Sequence, residues 1–99
     1  MEHHVYFWLN EEHQNQEDRA IFEQGLAGLF EVGLVAGGRW AIPAKVVARP
    51  VIDQSWDYAL TMQFNKIEDH DAYQVDPDHL VFISSFKDWW AKVQVRDLA

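Results

Sequence analysis

Residues 3–9, His3-His4-Val5-Tyr6-Phe7-Trp8-Leu9, contain no Asp, Glu, Lys or Arg and are dominated by Val and aromatic side chains. A short run of this kind, closed by the polar Asn10, reads as a β-strand covered on both faces. Its two alternating sets are His4, Tyr6, Trp8 and Val5, Phe7, Leu9, and both are apolar or aromatic. One layer of helices buries only one of them. The other set needs a second cover, and a second copy of the same sheet in a two-fold dimer supplies it.

Outward from this strand, residues 10–18 are polar. Phe22, Leu26, Leu29 and Phe30 then recur at i, i+4, i+7 and i+8, the stripe of an amphipathic helix. Glu17, Asp18 and Glu23 lie near its start, where the helix dipole favours negative charge, and Gly33 is the expected stop. Val35 to Pro43 reads as a second strand, with Gly37 and Gly38 marking a bulge or a close backbone approach. Residues 44–56 hold Val46, Val47, Val51 and Ile52 around Arg49-Pro50. They are too apolar for a solvated linker, and proline bars a central ladder position, so an extended arm along the dimer boundary is expected. Tyr58, Leu60, Met62 and Phe64 alternate with polar residues as a third strand.

A short helix carrying Ala72, Tyr73 and Val75 ends before Pro77, because the residue ahead of a proline is pushed out of the helical region. Asp76 can cap a following helix with Pro77 at its first position, on which His79, Phe82, Ile83 and Phe86 share one face. Trp90 to Leu98 closes the chain as a fourth strand, Val93 and Val95 alternating with Lys92, Gln94 and Arg96. The order strand, helix, strand, strand, helix, strand is that of an α+β ferredoxin-like sandwich, a four-stranded antiparallel sheet with its helices on one face.

At 99 residues the chain is expected to form one domain, 1–99. Its net charge of −8 and its scattered Lys and Arg argue against nucleic acid and against anionic membranes. Without cysteine there is no disulfide framework, no thiolate nucleophile and no Cys-based metal site. The first ten residues lack the features of a signal peptide and no apolar run spans a bilayer, so a cytoplasmic location is expected. Five Trp, three Tyr and six Phe exceed the needs of one small core, which favours a lined pocket or an interface.

Three segments, HHVYFWL, DYALTMQF and above all HDAYQVDPDHLVF, resemble the stress-responsive α/β-barrel (Dabb) domain family of the dimeric α/β-barrel superfamily. The resemblance covers nearly the whole chain. It implies a homodimer with a cleft in each subunit between sheet and helices. The plant polyketide cyclase similar to this family carries a His and a Tyr on the second helical segment and histidines on strands 1 and 3. Their counterparts here are His79, Tyr73, His4 and, with a changed residue type, Tyr58. On that match, His4, Tyr6 and Trp8 are expected to face the cleft together with Tyr58, Tyr73, His79, Phe82 and Phe86.

An imidazole at His79 can accept and return a proton at neutral pH, and Tyr73 can donate a hydrogen bond to a developing enolate. Equally, both can be core residues with satisfied polar atoms. His3, His4, His70, Asp71, Asp76, Asp78 and His79 are of metal-ligand type. However, there is no HExxH and no pair of histidines at i and i+4, and the aspartates have work as helix caps, so no metal and no cofactor is expected. Two functions follow: binding of a small apolar or aromatic molecule, or cofactor-free lyase, cyclase or monooxygenase chemistry with His79 as general base.

Overall fold

The computed structural model describes all 99 residues. β1 (Glu2–Leu9) leads through a 3₁₀ turn at Glu11–His13 into α1 (Gln16–Leu29). β2 (Gly37–Ala41) and β3 (Tyr58–Gln63) follow, then α2 (Ile67–Gln74), α3 (Pro77–Phe86) and β4 (Trp90–Leu98). The strands form one antiparallel sheet in the order β2-β3-β1-β4, so the two strands with the strongest apolar pattern are central. This is the ferredoxin-like arrangement, with the second helical segment split in two at Val75-Asp76.

Val5, Phe7 and Leu9 turn towards the helices and are buried with Phe22, Leu26, Leu29, Leu60 and Met62. Phe22 is the hub, its ring lying edge-on to Phe7 at 5.3 Å and to Phe86 at 5.1 Å. Where the chain crosses closely, glycine is required. At Gly38 φ is +122°, and a Cβ there would stand 1.8 Å from the Thr61 carbonyl oxygen, so the close approach expected in β2 is one between backbones. At Gly25 a Cβ would meet the Phe86 ring at 2.5 Å, which is how α1 and α3 come together.

Two details differ from the sequence reading. α1 begins at Gln16, with Glu17 and Asp18 in its first turn as expected, because Asn15 accepts a hydrogen bond from the Asp18 amide. It ends at Leu29, ahead of Gly33, in a tightened last turn where Phe30 bonds the Ala27 carbonyl. β2 is confined to Gly37–Ala41: Val35 bonds back to the Val32 carbonyl, Ala36 makes a single bond to the Gln63 carbonyl ahead of the ladder, and Ile42 and Pro43 lie beyond its end. The arm from 44 to 56 is extended and largely exposed within one chain. Its end lies against the outer sheet face, with Trp56 edge-on to Tyr6 at 5.4 Å and the Trp8 indole donating to Ser55 at 3.0 Å.

Candidate functional site

α1 and α3 cover the β3 side of the sheet and leave β4 partly bare. Val93 and Val95 keep 37% and 49% of their surface although they face the helices. The gap is a cleft of about 380 Å³, within the range of small-molecule sites. Its floor is the row His3, Val5, Phe7 of β1, with Trp90, Val93, Val95 and Asp97 beside it. Its roof is His70, Tyr73 and Gln74 of α2 and His79, Phe82 and Ile83 of α3.

The two-helix corner sets the polar end of the cleft. Asp76 is the N-cap of α3, accepting from the amides of Asp78 at 2.9 Å and His79 at 3.4 Å, and Pro77 occupies the first turn. The corner folds His79 back onto Tyr73, and the rings stack at 4.2 Å with 28° between their planes. Nδ1 of His79 faces the Gln74 carbonyl oxygen at 3.4 Å and so carries the proton, which leaves the lone pair on Nε2 with no partner in the chain. Burial lowers the His79 pKa below its ordinary value and outweighs the opposing carbonyl contacts, so the ring is neutral at pH 7. Burial raises the Tyr73 pKa well above the usual phenol range, and the nearby Asp76 charge adds to this. A neutral acceptor and a neutral phenol therefore sit side by side in a cleft lined mostly by apolar residues. A proton acceptor and a hydrogen-bond donor are thereby available to one bound molecule.

Of the residues expected in the cleft, Tyr73, His79 and Phe82 are brought together there. His4, Tyr6 and Trp8 are not. They project from the opposite sheet face, where Tyr6 and Trp8 line a shallow groove with Trp56 of the arm. Both sets of β1 are apolar, so alternation alone fixed no direction. A usable signal lay in their chemistry: His4, Tyr6 and Trp8 each end in a polar atom and suit a half-exposed face, whereas Val5, Phe7 and Leu9 have none. Tyr58 does face the helices but lies under α1, its hydroxyl donating to Glu23 at 2.6 Å. Burial and that carboxylate push its pKa up to about 12. Phe86 packs against Phe22 and Trp89 and borders a separate depression between α1 and α3.

His3, His70, Trp90 and Asp97 also line the cleft; the sequence marked His3 and His70 only as residues of metal-ligand type and did not single out Trp90 or Asp97. Asp97 shares the parity of Val93 and Val95, and His3 that of Val5, so one correct choice of face would have placed both. The buried Trp90 Nε1 has no hydrogen-bond partner in the chain.

The model of the stress-responsive A/B barrel domain (Dabb) matches residues 1–99. The chain belongs to the Dabb family. Among solved structures, At3g17210 from Arabidopsis thaliana superposes with a TM-score of 0.83 at 19% identity, covering 99% of this chain and 92% of that one. A dimeric ferredoxin-like protein of unknown function from Thermobifida fusca gives 0.79 at 16% identity, over 99% and 88%. The hydroxynitrile lyase of Passiflora edulis gives 0.79 at 15% identity, over 96% and 87%. At these identities the likeness is one of fold. No curated protein matches the sequence. For this Dabb chain no helix is long and apolar enough to cross a membrane.

Proposed function

We propose that this Dabb protein binds a small aromatic molecule carrying a hydroxyl or carbonyl group in the cleft between sheet and helices, and does so as a homodimer. The observation that carries the reading is the stacked Tyr73–His79 pair in a cleft lined mostly by apolar residues, with Nε2 unengaged. The walls of Phe7, Phe82, Trp90 and Val95 favour a flat apolar body. The pair supplies one acceptor and one phenol to orient a polar group. The homodimer is supported by the half-exposed aromatics on the outer sheet face, and a solved neighbour is described as dimeric.

A 1-naphthol titration followed by tryptophan fluorescence tests the reading, because Trp90 lines the cleft. Saturable binding is expected, weakened about 10-fold by His79→Ala, the equivalent of ~1.4 kcal/mol for a hydrogen bond to the ligand. Phe82→Ala should weaken it further. Unchanged binding in both variants, with their melting temperatures lowered, would assign the pair to the core and defeat the proposal.

A second reading, proton transfer at His79, is favoured by the same unengaged Nε2 and by the neutral ring that burial enforces. A neighbour of the same fold is a hydroxynitrile lyase, an enzyme class whose reaction needs a proton moved at a hydroxyl group. Turnover of an aromatic cyanohydrin, abolished in His79→Ala while 1-naphthol still binds, would separate this reading from simple binding.

A further inference from the structure

His3, His70 and Asp97 come from β1, α2 and β4, and the fold gathers one ligand-type atom from each within 4.8 Å of the others. The β1–β4 register places His3 directly opposite Asp97, and His3 Nδ1 lies 2.5 Å from Asp97 Oδ1. His70 reaches the same oxygen from above, with Nε2 at 3.5 Å. We propose that these three residues form a binding site for a divalent transition-metal ion, zinc foremost, in the wall of the cleft.

Two features of the cluster support a cation. First, the donor set of two imidazoles and one carboxylate is the kind that holds zinc or iron while leaving positions open. Second, metal–ligand bonds of about 2.0–2.2 Å in a tetrahedral site put ligand atoms about 3.4 Å apart. His70 and Asp97 already stand at that separation. His3 and Asp97 need to part by less than an ångström, which the half-exposed Asp97 side chain can provide.

His70 is also prepared for this role. Its Nδ1 donates to the Asp71 carboxylate at 3.1 Å, so in the neutral ring Nε2 presents a lone pair, which accepts from the Gln74 side-chain amide at 3.3 Å and which a cation would take instead. The Asp71 contact then orients the ring, the usual arrangement behind a metal-ligating histidine. Spacing along the sequence could not reveal such a site, because its members are 67 and 27 residues apart and only the sheet register and the α2 packing unite them. The site does not depend on an organic molecule occupying the cleft.

Calorimetric titration of the chelator-treated full chain with zinc chloride at pH 7 tests the proposal. One zinc per chain is expected, together with a rise in melting temperature and visible d–d absorption when cobalt(II) replaces zinc. His70→Gln and Asp97→Asn, both near-isosteric and both on partly open side chains, should each weaken zinc binding at least 10-fold while the circular dichroism stays unchanged. His13→Ala removes a separate His-carboxylate contact, to Asp18 and Glu12, and should leave the affinity as it was. Absence of saturable zinc binding, or zinc binding that survives both site variants, would overturn the assignment.

Discussion

At the level of single residues, His79 concentrates the chemistry of the cleft. Its pKa is lowered chiefly by burial, so folding favours the neutral ring. The unfolded chain binds a proton near the ordinary ~6.5, whereas the folded chain resists it until a lower pH. Stability from this group is therefore complete above about pH 6.5 and is lost as pH falls towards the folded pKa. In chelator-treated protein, the His79 ring proton resonance should titrate with a midpoint below ~6.5, and His79→Phe should flatten the acid limb of the stability profile. A midpoint above that value would mean that the carbonyls of Gln74 and Tyr73 outweigh burial.

Among the secondary-structure elements, the corner between α2 and α3 carries the most information per residue. Asp76 holds two amides of the first turn of α3. Asp76→Ala should cost about 1 kcal/mol in a denaturant melt and also weaken 1-naphthol binding, since His79 sits on that first turn. A stability loss with unaltered binding would show that the ring stack survives without its cap. This corner was readable in advance, because Asp-Pro with an apolar face three residues on leaves few alternatives. So was the order of elements, since Phe22, Leu26 and Leu29 keep a helical period and Tyr58 to Phe64 a period of two. The direction of β1 was not readable from alternation, only from the polar atoms in which His4, Tyr6 and Trp8 end. A strand with two apolar sets offers no contrast for alternation to act on, and the choice fell to which set the helices can seal. The cluster at His3, His70 and Asp97 was hidden for a related reason, being a product of strand register and helix docking.

On the scale of the whole molecule, one sheet serves two surfaces. The face towards the helices is closed by α1 and partly open over β4, whereas the opposite face presents His4, Tyr6, Trp8, Arg39, Thr61 and Gln94. Lys92 sits over the Trp8 ring at 4.6 Å, and the arm shields only part of the remainder. Val47 and Val51 are 87% and 84% exposed in one chain, more apolar surface than an arm in contact with its own sheet would leave. Sedimentation at micromolar concentration should give twice the chain mass. Amide exchange across 44–56 should slow as concentration rises through the association range. A monomer at all concentrations, with the arm exchanging like an unfolded peptide, would contradict the proposed assembly.

The stacked Tyr73 and His79 are six positions apart, yet no helical pitch joins them, because Val75 and Asp76 interrupt the spiral between. Their spacing is consequently a property of the bend angle. Widening that angle by a few degrees would part the phenol from the imidazole while leaving every strand pairing intact. The cleft thus has a dial separate from its scaffold: residues 74–76 can retune what is grasped there, and the sheet beneath need not change.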